Sequence, residues 1–263
     1  MNIFKQLWLS LYSPKDIAKY RFQGIGKSIL YVFLLVFIST IPAFVYTSLD
    51  IHNGLTTFEK AVKTEIPSFR IADGKLTTDA TAPVIYNDED FTVIVDGTGE
   101  MTISDVQLQD DQALALLQTQ FVLITNGLVQ TQPYELFEGF VITLEDIQGF
   151  LSQMDGMFTI FLTIIGVVTY LLAAGLLFFE ISLLALFATL LFNVARKNLK
   201  YRHMWILTAY SVTLSTVFFT IMSAFKTTVI GGSFINWAVS LIILYLVLKE
   251  IPAPTTTKKL DNE

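Results

Sequence analysis

Glu180 is the strongest candidate for chemistry in this chain, because it is the only charged side chain in the apolar stretch 157–195. A carboxylate inside a bilayer costs about 2.5–3.5 kcal/mol on insertion scales, so we expect it to face a polar partner or water. The candidate partners are Asn193, Asn236, Arg196 and the Ser/Thr face of the predicted third span, 204–225. Glu180 is either an ion, proton or helix-pairing site, or a carboxylate wetted by lipid headgroups. A span that begins at residue 157 favours the second, at the inner interface.

Hydroxyl side chains are concentrated in the apolar segment 204–225. They form two helical stripes: Thr208, Ser211 and Ser215, and then Thr213, Thr216, Thr220 and Ser223. Such stripes can line a hydrophilic path, but small and hydroxyl residues also let membrane helices approach closely. Packing is the favoured interpretation. Ser182, Ala185 and Ala188 could supply the complementary small surface.

The other reactive side chains form no constellation that we expect to do chemistry. The chain has no cysteine, which excludes disulfides, thiolate nucleophiles and Cys-based metal sites. It also lacks the HExxH, GxSxG, Walker A and GxGxxG motifs. The acidic residues 87–90 lack EF-hand spacing, and residues 96–99 read as a turn at a strand end. His52 and His203 fall on opposite membrane faces in the topology below. We expect no catalytic residue, no cofactor and no metal, and hence no enzyme.

The elements that would position these residues follow from composition. The chain has 263 residues, of which 53% are hydrophobic and only 15% charged, against about 25% charged in soluble domains. We predict an α-helical multi-span membrane protein with four transmembrane helices and a small extracytoplasmic α+β domain between the first two. The predicted boundaries are 1–27 for cytoplasmic amphipathic or interfacial helices, 28–49 for the first span, 50–156 for the outer domain, 157–195 for the second span with a cytoplasmic extension, 196–203 for a basic loop, 204–225 for the third span, 226–233 for an outer turn, 234–248 for the fourth span and 249–263 for a disordered tail.

The charge distribution predicts the topology. Residues 1–28 hold five basic and one acidic side chain, residues 196–202 hold four basic and no acidic ones, and residues 50–156 have a net charge of −14. Basic segments favour the cytoplasmic side, so both termini are predicted inside a cell membrane and 50–156 outside. The negative outer charge excludes a nucleic-acid partner. The predicted contacts with the anionic inner leaflet are Lys5, Lys15, Lys19, Arg21, Lys27, Arg196, Lys197, Lys200 and Arg202.

Two short helices are predicted before the first span. In the first, one face is apolar: Ile3, Phe4, Leu7, Trp8, Leu11 and Tyr12. The second has Ser13 as N-cap, Pro14 at its first position and Asp16 at its third. The pair could lie on the lipid surface or pack against the spans, and these two interpretations are compatible.

The outer domain reads as helix, strands, helix. Residues 51–66 are predicted helical, and Asp73-Gly74 is a predicted hairpin turn between short strands. Residues 82–86, 91–97 and 121–125 predict strands, whereas 110–120 predicts a helix and 127–137 reads as extended or irregular. Thr143 and Asp146 predict the cap of a last helix that leads to the second span.

The chain resembles an uncharacterised family of four-span membrane proteins of Gram-positive bacteria with a domain of unknown function. The resemblance is carried by Ser13-Pro14-Lys15, by RFQGIGK at 21–27, by Ile41-Pro42, by VIVDGTGEM around Asp96 and by FVLITNGLV around Thr125. Some members are labelled maltodextrin-utilisation proteins, which implies an association with sugar uptake and no particular activity. The segment 195–211 is more distantly similar to Yip-type membrane proteins.

Two functions fit this sequence better than an intramembrane enzyme does. The first is a non-enzymatic accessory or sensor protein whose outer domain contacts a protein, a wall polymer or a solute, with a protein partner or a second copy in the membrane. The second is a component of a transporter with Glu180 in an ion or proton site. Whether residues 181–195 continue the second span is open, and the excess length of 157–195 is predicted at the cytoplasmic face.

Overall fold

The computed structural model describes residues 2–88, 91–154, 157–191 and 199–252. The chain folds as two compact units. One unit, which we call the bundle, contains residues 1–45 and 164–263, and the other, which we call the β domain, contains residues 46–163. The prediction of a mostly helical chain with four possible membrane spans and a small β-sheet region is therefore confirmed. The predicted tail 253–263 lies outside the described residues.

Two short helices open the bundle: α1 (Ile3–Ser10) and α2 (Pro14–Lys19), followed by a 3-10 turn at Tyr20–Phe22. Its long helices are α3 (Ile25–Thr64), α6 (Phe158–Leu191), α7 (Tyr201–Ser211), α8 (Thr213–Ala224) and α9 (Gly232–Lys249). In the part of the chain that the structure describes, four segments are long and apolar enough to cross a membrane, namely α3, α6, α7 with α8, and α9. This is the arrangement expected of a multi-pass membrane protein.

Two helices run well beyond the predicted spans. The predicted first span 28–49 and the helix predicted at 51–66 form the single helix α3, which includes Pro42. A proline is tolerated in a membrane helix because neighbouring groups satisfy the freed carbonyl. The second span continues as one helix through Glu180 to Leu191, so residues 181–191 are not a separate element.

The predicted third span is divided into α7 and α8 at Val212. Hydroxyl groups around this point bond to carbonyls of their own helix. Ser211 donates to the Leu207 carbonyl at 2.9 Å, and Ser215 and Thr216 both donate to the Val212 carbonyl at 2.9 Å. Such back-bonding bends helices, which gives a physical reason for the break in a span that was predicted as one helix.

The β domain contains two sheets. The smaller has the order β2-β1-β8, with β1 (Phe69–Ala72), β2 (Lys75–Thr78) and β8 (Ile142–Thr143). The larger has the order β3-β4-β5-β6-β7, with β3 (Val84–Asp88), β4 (Phe91–Val95), β5 (Ala113–Leu116), β6 (Gln120–Thr125) and β7 (Leu128–Pro133). Its strands are antiparallel except for β4 and β5, which are parallel and joined through α4 (Ile103–Gln109). A further helix, α5 (Leu144–Met154), ends the domain.

Apolar side chains fill both faces of the larger sheet. On one face, Val106 of α4 packs with Ile94 and Val122. On the other, Ala61 and Val62 of α3 pack in one cluster with side chains of both sheets. The end of α3 is therefore part of the β-domain core as well as an extension of the first span.

Two tight hairpins have the same backbone conformation. The predicted turn Asp73-Gly74 is confirmed, with φ of 51° and 75° between paired strands β1 and β2. Asn126-Gly127 has φ of 51° and 75° and joins β6 to β7. Positive φ at both central residues is the type I′ signature, which asparagine, aspartate and glycine tolerate best.

The helix predicted at 110–120 is wrong. Residues 113–116 form strand β5, which lies between β4 and β6 in the sheet. A strand covered on both faces reads as a continuous apolar run, and this ALAL run does not distinguish strand from helix. The nearby helix is α4, where Thr102 and Asp105 form a reciprocal capping box.

The predicted cap of α5 is confirmed. The Thr143 backbone N–H and hydroxyl donate to the Asp146 carboxylate at 2.9 and 2.7 Å, and the Asp146 N–H donates back to the hydroxyl at 3.2 Å. The hydrogen bonds from Thr143 hold the pKa of Asp146 below its ordinary value. The ionised carboxylate therefore contributes to the start of this helix at neutral pH.

Candidate functional site

Glu180 of α6 is paired with Asn236, one of the partners considered for it from the sequence. The Asn236 side-chain N–H donates to Glu180 Oε1 at 2.5 Å. Asn236 is the fifth residue of α9, so the pair joins the second and fourth spans. Asn193 and Arg196, two of the other candidate partners, lie outside the described residues.

A cavity of about 540 Å³ opens beside this pair. Its polar wall is made of Glu180, Asn236, Ser39, Thr216, Thr220, Ser223, Thr228 and Ser233. Apolar side chains such as Val36 and Leu177 complete it. One carboxylate, one amide and six hydroxyl groups in one cavity can bind a small cation or a hydroxylated solute, because all of them accept hydrogen bonds.

The pair lies near the start of α9. Asn236 lies about 6 Å along α9 from its start and about 20 Å from its end at Lys249. The cavity also includes Thr228 and Val229 of the α8–α9 connection. Along α9, the pair therefore lies nearer the α8–α9 connection than Lys249, and we call the end that carries Lys249 the basic end of the bundle. Along α7, the neighbouring Ser182 lies beside Tyr201 and Trp205 near the start of that helix, so the depth predicted for Glu180 stays a prediction.

Glu180 divides α6 unequally, and the predicted position of the excess length of 157–195 at the cytoplasmic face stays a prediction. Twenty-two residues of α6 precede Glu180 and eleven follow it. The buried side chains run from the middle of α6 toward its C-terminal end: Ala174, Ile181, Leu184, Ala185 and Ala188. More than half of the side chain is exposed both before Glu180, at Ile164, Leu171 and Leu172, and after it, at Leu190 and Leu191.

Of the two hydroxyl stripes, the structure brings three residues of the second to Glu180, while its fourth, Thr213, is fully buried beside Tyr31. Thr216, Thr220 and Ser223 line the cavity. The first stripe, Thr208, Ser211 and Ser215, is at most 2% exposed and lies in the packed core. There Thr208 donates to the Met204 carbonyl at 2.8 Å, and the Ser215 and Ser240 hydroxyls are 2.9 Å apart across α8 and α9.

The small residues of α6 pack against the third span. Ala185 and Ala188 are fully buried, and Ser182 accepts a hydrogen bond from the Trp205 indole N–H at 3.1 Å. The Tyr201 hydroxyl donates to the Ser182 carbonyl at 3.1 Å. This close contact is the packing role expected of small side chains between membrane helices.

The predicted membrane-surface basic residues that are described lie on α1, α2, the 3-10 turn and the start of α3, and at or just before the start of α7: Lys5, Lys15, Lys19, Arg21, Lys27, Lys200 and Arg202. Lys19 forms an ion pair with Asp16 at 2.6 Å, and Arg21 donates to the Ala18 carbonyl. Arg202 donates to the Gln23 carbonyl at 3.5 Å, which joins the start of α7 to the segment before α3. Arg196 and Lys197 lie outside the described residues.

The described residues contain no cluster of side chains that could hold a metal ion. Within 2–88, 91–154, 157–191 and 199–252, no three His, Asp or Glu side chains are grouped to hold an ion. His203 accepts a hydrogen bond from the Lys200 N–H at 3.2 Å, and the His52 ring lies 5.8 Å from that of Phe158. Of the acidic turn considered as a Ca²⁺ site, Asn87 and Asp88 belong to β3, and residues 89 and 90 are outside the described part.

The comparison that decides the family covers nearly the whole chain. The family of proteins of unknown function DUF1189 matches residues 4–248. The chain belongs to DUF1189. No curated protein and no solved structure matches it. The DUF1189 match contains both the Glu180 cavity and a buried polar network that the sequence did not reveal.

That network is centred on Tyr210. One of its members, Gln23, belongs to the RFQGIGK segment at 21–27. The Gln23 side-chain N–H donates to the Tyr210 hydroxyl at 2.6 Å, and the Tyr210 hydroxyl donates to Gln6 at 3.3 Å. Gln6 also donates to Gln23 at 2.8 Å. Glutamine side chains buried in pairs are normally satisfied by such mutual bonds. The signal that could have found them is the polar Gln6 and Ser10 on an otherwise apolar helix.

The buried face of α1 contains polar side chains and is not simply the apolar face identified in the sequence. Gln6 and Ser10 face the bundle, whereas Phe4, Trp8 and Tyr12 are more than 60% exposed. Ile3 and Leu7 are partly buried against the core. The aromatic face is thus available to a lipid interface, where tryptophan and tyrosine are enriched, and the polar face holds α1 to the bundle.

In the β domain, the VIVDGTGEM segment is built around Asp96, which is fully buried. Its carboxylate accepts hydrogen bonds from the Thr98 N–H and hydroxyl, the Gly99 N–H and the Met101 N–H, at 2.6–3.1 Å. A Cβ at Gly97 would lie 2.6 Å from Thr78, so glycine lets this turn pack against β2. Asp96 therefore holds a turn at a strand end.

Proposed function

We propose that this protein is a non-enzymatic accessory or sensor protein of the cell membrane, and that its bundle binds a small cation or hydroxylated solute in the Glu180 cavity. The observation that carries the proposal is the packed core between this cavity and the basic end. Its fully buried side chains include Ile181, Leu184, Leu207, Tyr210, Leu244 and Val247. A cavity closed on that side binds a ligand without conducting it.

The side chains that line the Glu180 cavity limit the class of ligand that it can bind. Glu180 supplies a negative charge in a largely apolar surrounding, so it favours a cation or a group that donates a hydrogen bond. Thr216 and Thr220 donate to carbonyls of their own helix at 2.9 and 2.7 Å, which leaves their oxygens free to accept. The association with sugar uptake that the family resemblance implies is compatible with such a wall and remains a proposal.

The proposed orientation places the β domain outside the cell and both termini in the cytoplasm. It rests on the net charge of −14 over residues 50–156 and on the basic segments at 1–28 and 196–202, which we propose contact an anionic inner leaflet. The β domain would then contact a protein, a wall polymer or a second copy, and a nucleic-acid partner is not expected.

Single cysteines test this orientation, because the natural chain has none. We expect a membrane-impermeant maleimide to label Glu100→Cys in intact cells, and Lys200→Cys only after permeabilisation. Both side chains are exposed and lie outside the helices and strands. Labelling at these positions therefore reports the side of the membrane. The opposite pattern would refute the proposed topology.

A transporter component is the second candidate function. The observation that favours it is the carboxylate of Glu180 in an open cavity of the bundle among hydroxyl side chains, since intramembrane carboxylates mark ion and proton pathways. The two functions predict different proton or solute flux across the membrane. In proteoliposomes, an accessory protein should give the proton or solute flux of empty vesicles, whereas a transporter should give flux that Glu180→Gln abolishes.

The binding site itself has a matched test. We expect Glu180→Gln to weaken binding of Na⁺ or maltotriose about 10–100-fold, because a hydrogen bond to a charged group contributes about 1.5–3 kcal/mol. Thr220→Val, which alters the cavity wall, should also weaken binding, and Thr208→Val should not, since Thr208 lies in the core. The measurement is ligand-dependent thermal stabilisation of the purified protein. Equal ligand responses in all three variants would contradict the proposal.

A further inference from the structure

Two cavities in the β domain share part of their walls. They have volumes of about 280 and 330 Å³, and Leu55, Phe58 and Leu114 line both. Both open to the surface of the domain, and a few hundred Å³ is the usual size of a ligand site. Two neighbouring clefts of this size with a common wall are therefore candidates for a single ligand.

The larger cavity suits a hydrocarbon chain. Apart from Gln132 and Tyr134, the side chains that line it are apolar, and they come from the sheet, from α3 and from α5. Phe137 and Phe150 line it and are 42% and 64% exposed. The cavity is thus an apolar space with an aromatic edge at the domain surface.

The smaller cavity has a polar edge instead. Thr47, Asp50, Gln112, Thr125 and Asn126 line it beside the shared apolar residues. No lysine or arginine is among its described lining residues. Asp50 would repel a phosphate and would accept a hydrogen bond from a hydroxyl group. The edge therefore suits an uncharged, hydroxyl-bearing head and disfavours an anionic one.

The position of the cavities along α3 indicates where such a molecule would come from. Thr47, Asp50, Gly54 and Phe58 recur every three or four residues, so the cavity wall follows one face of the helix. This face begins where the predicted apolar span ends, at residue 49, and Leu55 lies about 9 Å further along α3. The polar edge, at Thr47 and Asp50, is therefore the part of the wall that lies in sequence at the end of the predicted span.

The surface beside the larger cavity is unusually apolar for a water-exposed domain. Leu136, Phe140 and Val141 are 67%, 71% and 49% exposed, next in sequence to Phe137. Contiguous exposed apolar side chains of this kind mark sites of contact with membranes or ligands. Here they adjoin a cavity of matching chemistry.

We propose that the β domain binds a membrane lipid with an uncharged, hydroxyl-bearing head, with a hydrocarbon chain in the larger cavity and the head at the Asp50 edge. The proposal concerns a site separate from the Glu180 cavity and does not depend on it. It gives the domain a ligand taken from the membrane to which the domain is attached by helices at both of its ends.

The test uses photo-crosslinking of the full-length protein in nanodiscs. The probe is a diacylglycerol with a diazirine in one acyl chain, compared with a phosphatidylglycerol and a free fatty acid that carry the same chain. We expect the diacylglycerol to label peptides 50–58, 112–126 and 142–151, and the two anionic probes to label them at least fivefold less. Labelling confined to the membrane-spanning segments would overturn the proposal, and equal labelling by phosphatidylglycerol would overturn the choice of head.

Variants provide the second part of the test. Leu114→Trp fills the space common to both cavities and should reduce labelling of these peptides at least fivefold. Leu128→Trp is the matched control, because Leu128 is 72% exposed on β7 and lines neither cavity. Hydrogen exchange of β4 and β6 confirms that each variant is folded. If Leu114→Trp is not folded, Leu55→Trp narrows the same space from α3, and undiminished labelling in a folded variant would refute the site.

Discussion

Replacement of Asp96 by alanine is expected to lower the free energy of unfolding of the β domain by about 3–5 kcal/mol. The side chain is fully buried and accepts four hydrogen bonds, three of them from backbone N–H groups. Alanine leaves these donors without their partner, and each unsatisfied buried donor costs about 1–3 kcal/mol. Domains of this size are stable by only about 5–15 kcal/mol, so the effect is a large fraction of the total.

The measurement is hydrogen–deuterium exchange of the full-length protein in detergent, read on peptides from β4 and β5. We expect faster exchange of these peptides in Asp96→Ala. Asp79→Ala is the matched control, because Asp79 is exposed in the same domain. Equal protection in wild type and Asp96→Ala would show that the turn is held by other contacts.

The same carboxylate predicts a pH dependence. Burial raises the pKa of Asp96, but the hydrogen bonds from Thr98, Met101 and Gly99 outweigh it and hold the pKa below the ordinary 3.8. A group with a lowered folded-state pKa stabilises the fold above its unfolded-state pKa, and this contribution is lost as the pH falls through the folded-state value. The difference in protection between wild type and Asp96→Asn should therefore be constant near neutral pH and shrink below about pH 4.

Local signals in the sequence were sufficient for much of this fold. Hydropathy locates the four spans, and the pairs Ser13 and Asp16, and Thr143 and Asp146, locate helix starts, because each depends on neighbouring residues only. The Asn126-Gly127 hairpin carries an equally local signal that the sequence analysis missed. Strand β5 could not be read in this way, since its neighbours in the sheet decide whether an Ala/Leu run is strand or helix.

The candidate site depended on longer-range information. Asn236 was among the partners considered for Glu180, but which of them the carboxylate meets depends on how α6 packs beside α9. No local pattern contains that choice. The same holds for the hydroxyl stripes: both have helical periodicity, and only the packing of α8 against α6 and α9 decides that Thr216 and Thr220, rather than Thr208, face the carboxylate.

The second large effect is expected at Tyr210, at the basic end of the bundle. Its ring is fully buried, with its centroid 4.6 Å from that of Tyr20 and 4.1 Å from that of Tyr31. Truncation to alanine removes both ring contacts and leaves a cavity, which in protein cores costs about 3–5 kcal/mol. Tyr210→Phe keeps the ring and removes the hydroxyl, and we expect it to cost about 1–2 kcal/mol.

The two variants should differ in which helices they loosen. Because the hydroxyl bonds Gln6 of α1 and Gln23 before α3, Tyr210→Phe should loosen α1 selectively, whereas Tyr210→Ala should loosen α2 and α7 as well. Hydrogen exchange of residues 3–12 and 14–22 separates these outcomes, with Tyr12→Phe as the control, since Tyr12 is 62% exposed on the outer face. If α1 stays protected in Tyr210→Phe, then Ile3 and Leu7 hold this helix by apolar contact. If it is released while α2 stays protected, the Gln6–Tyr210–Gln23 bonds fix the aromatic face of α1 toward the lipid interface.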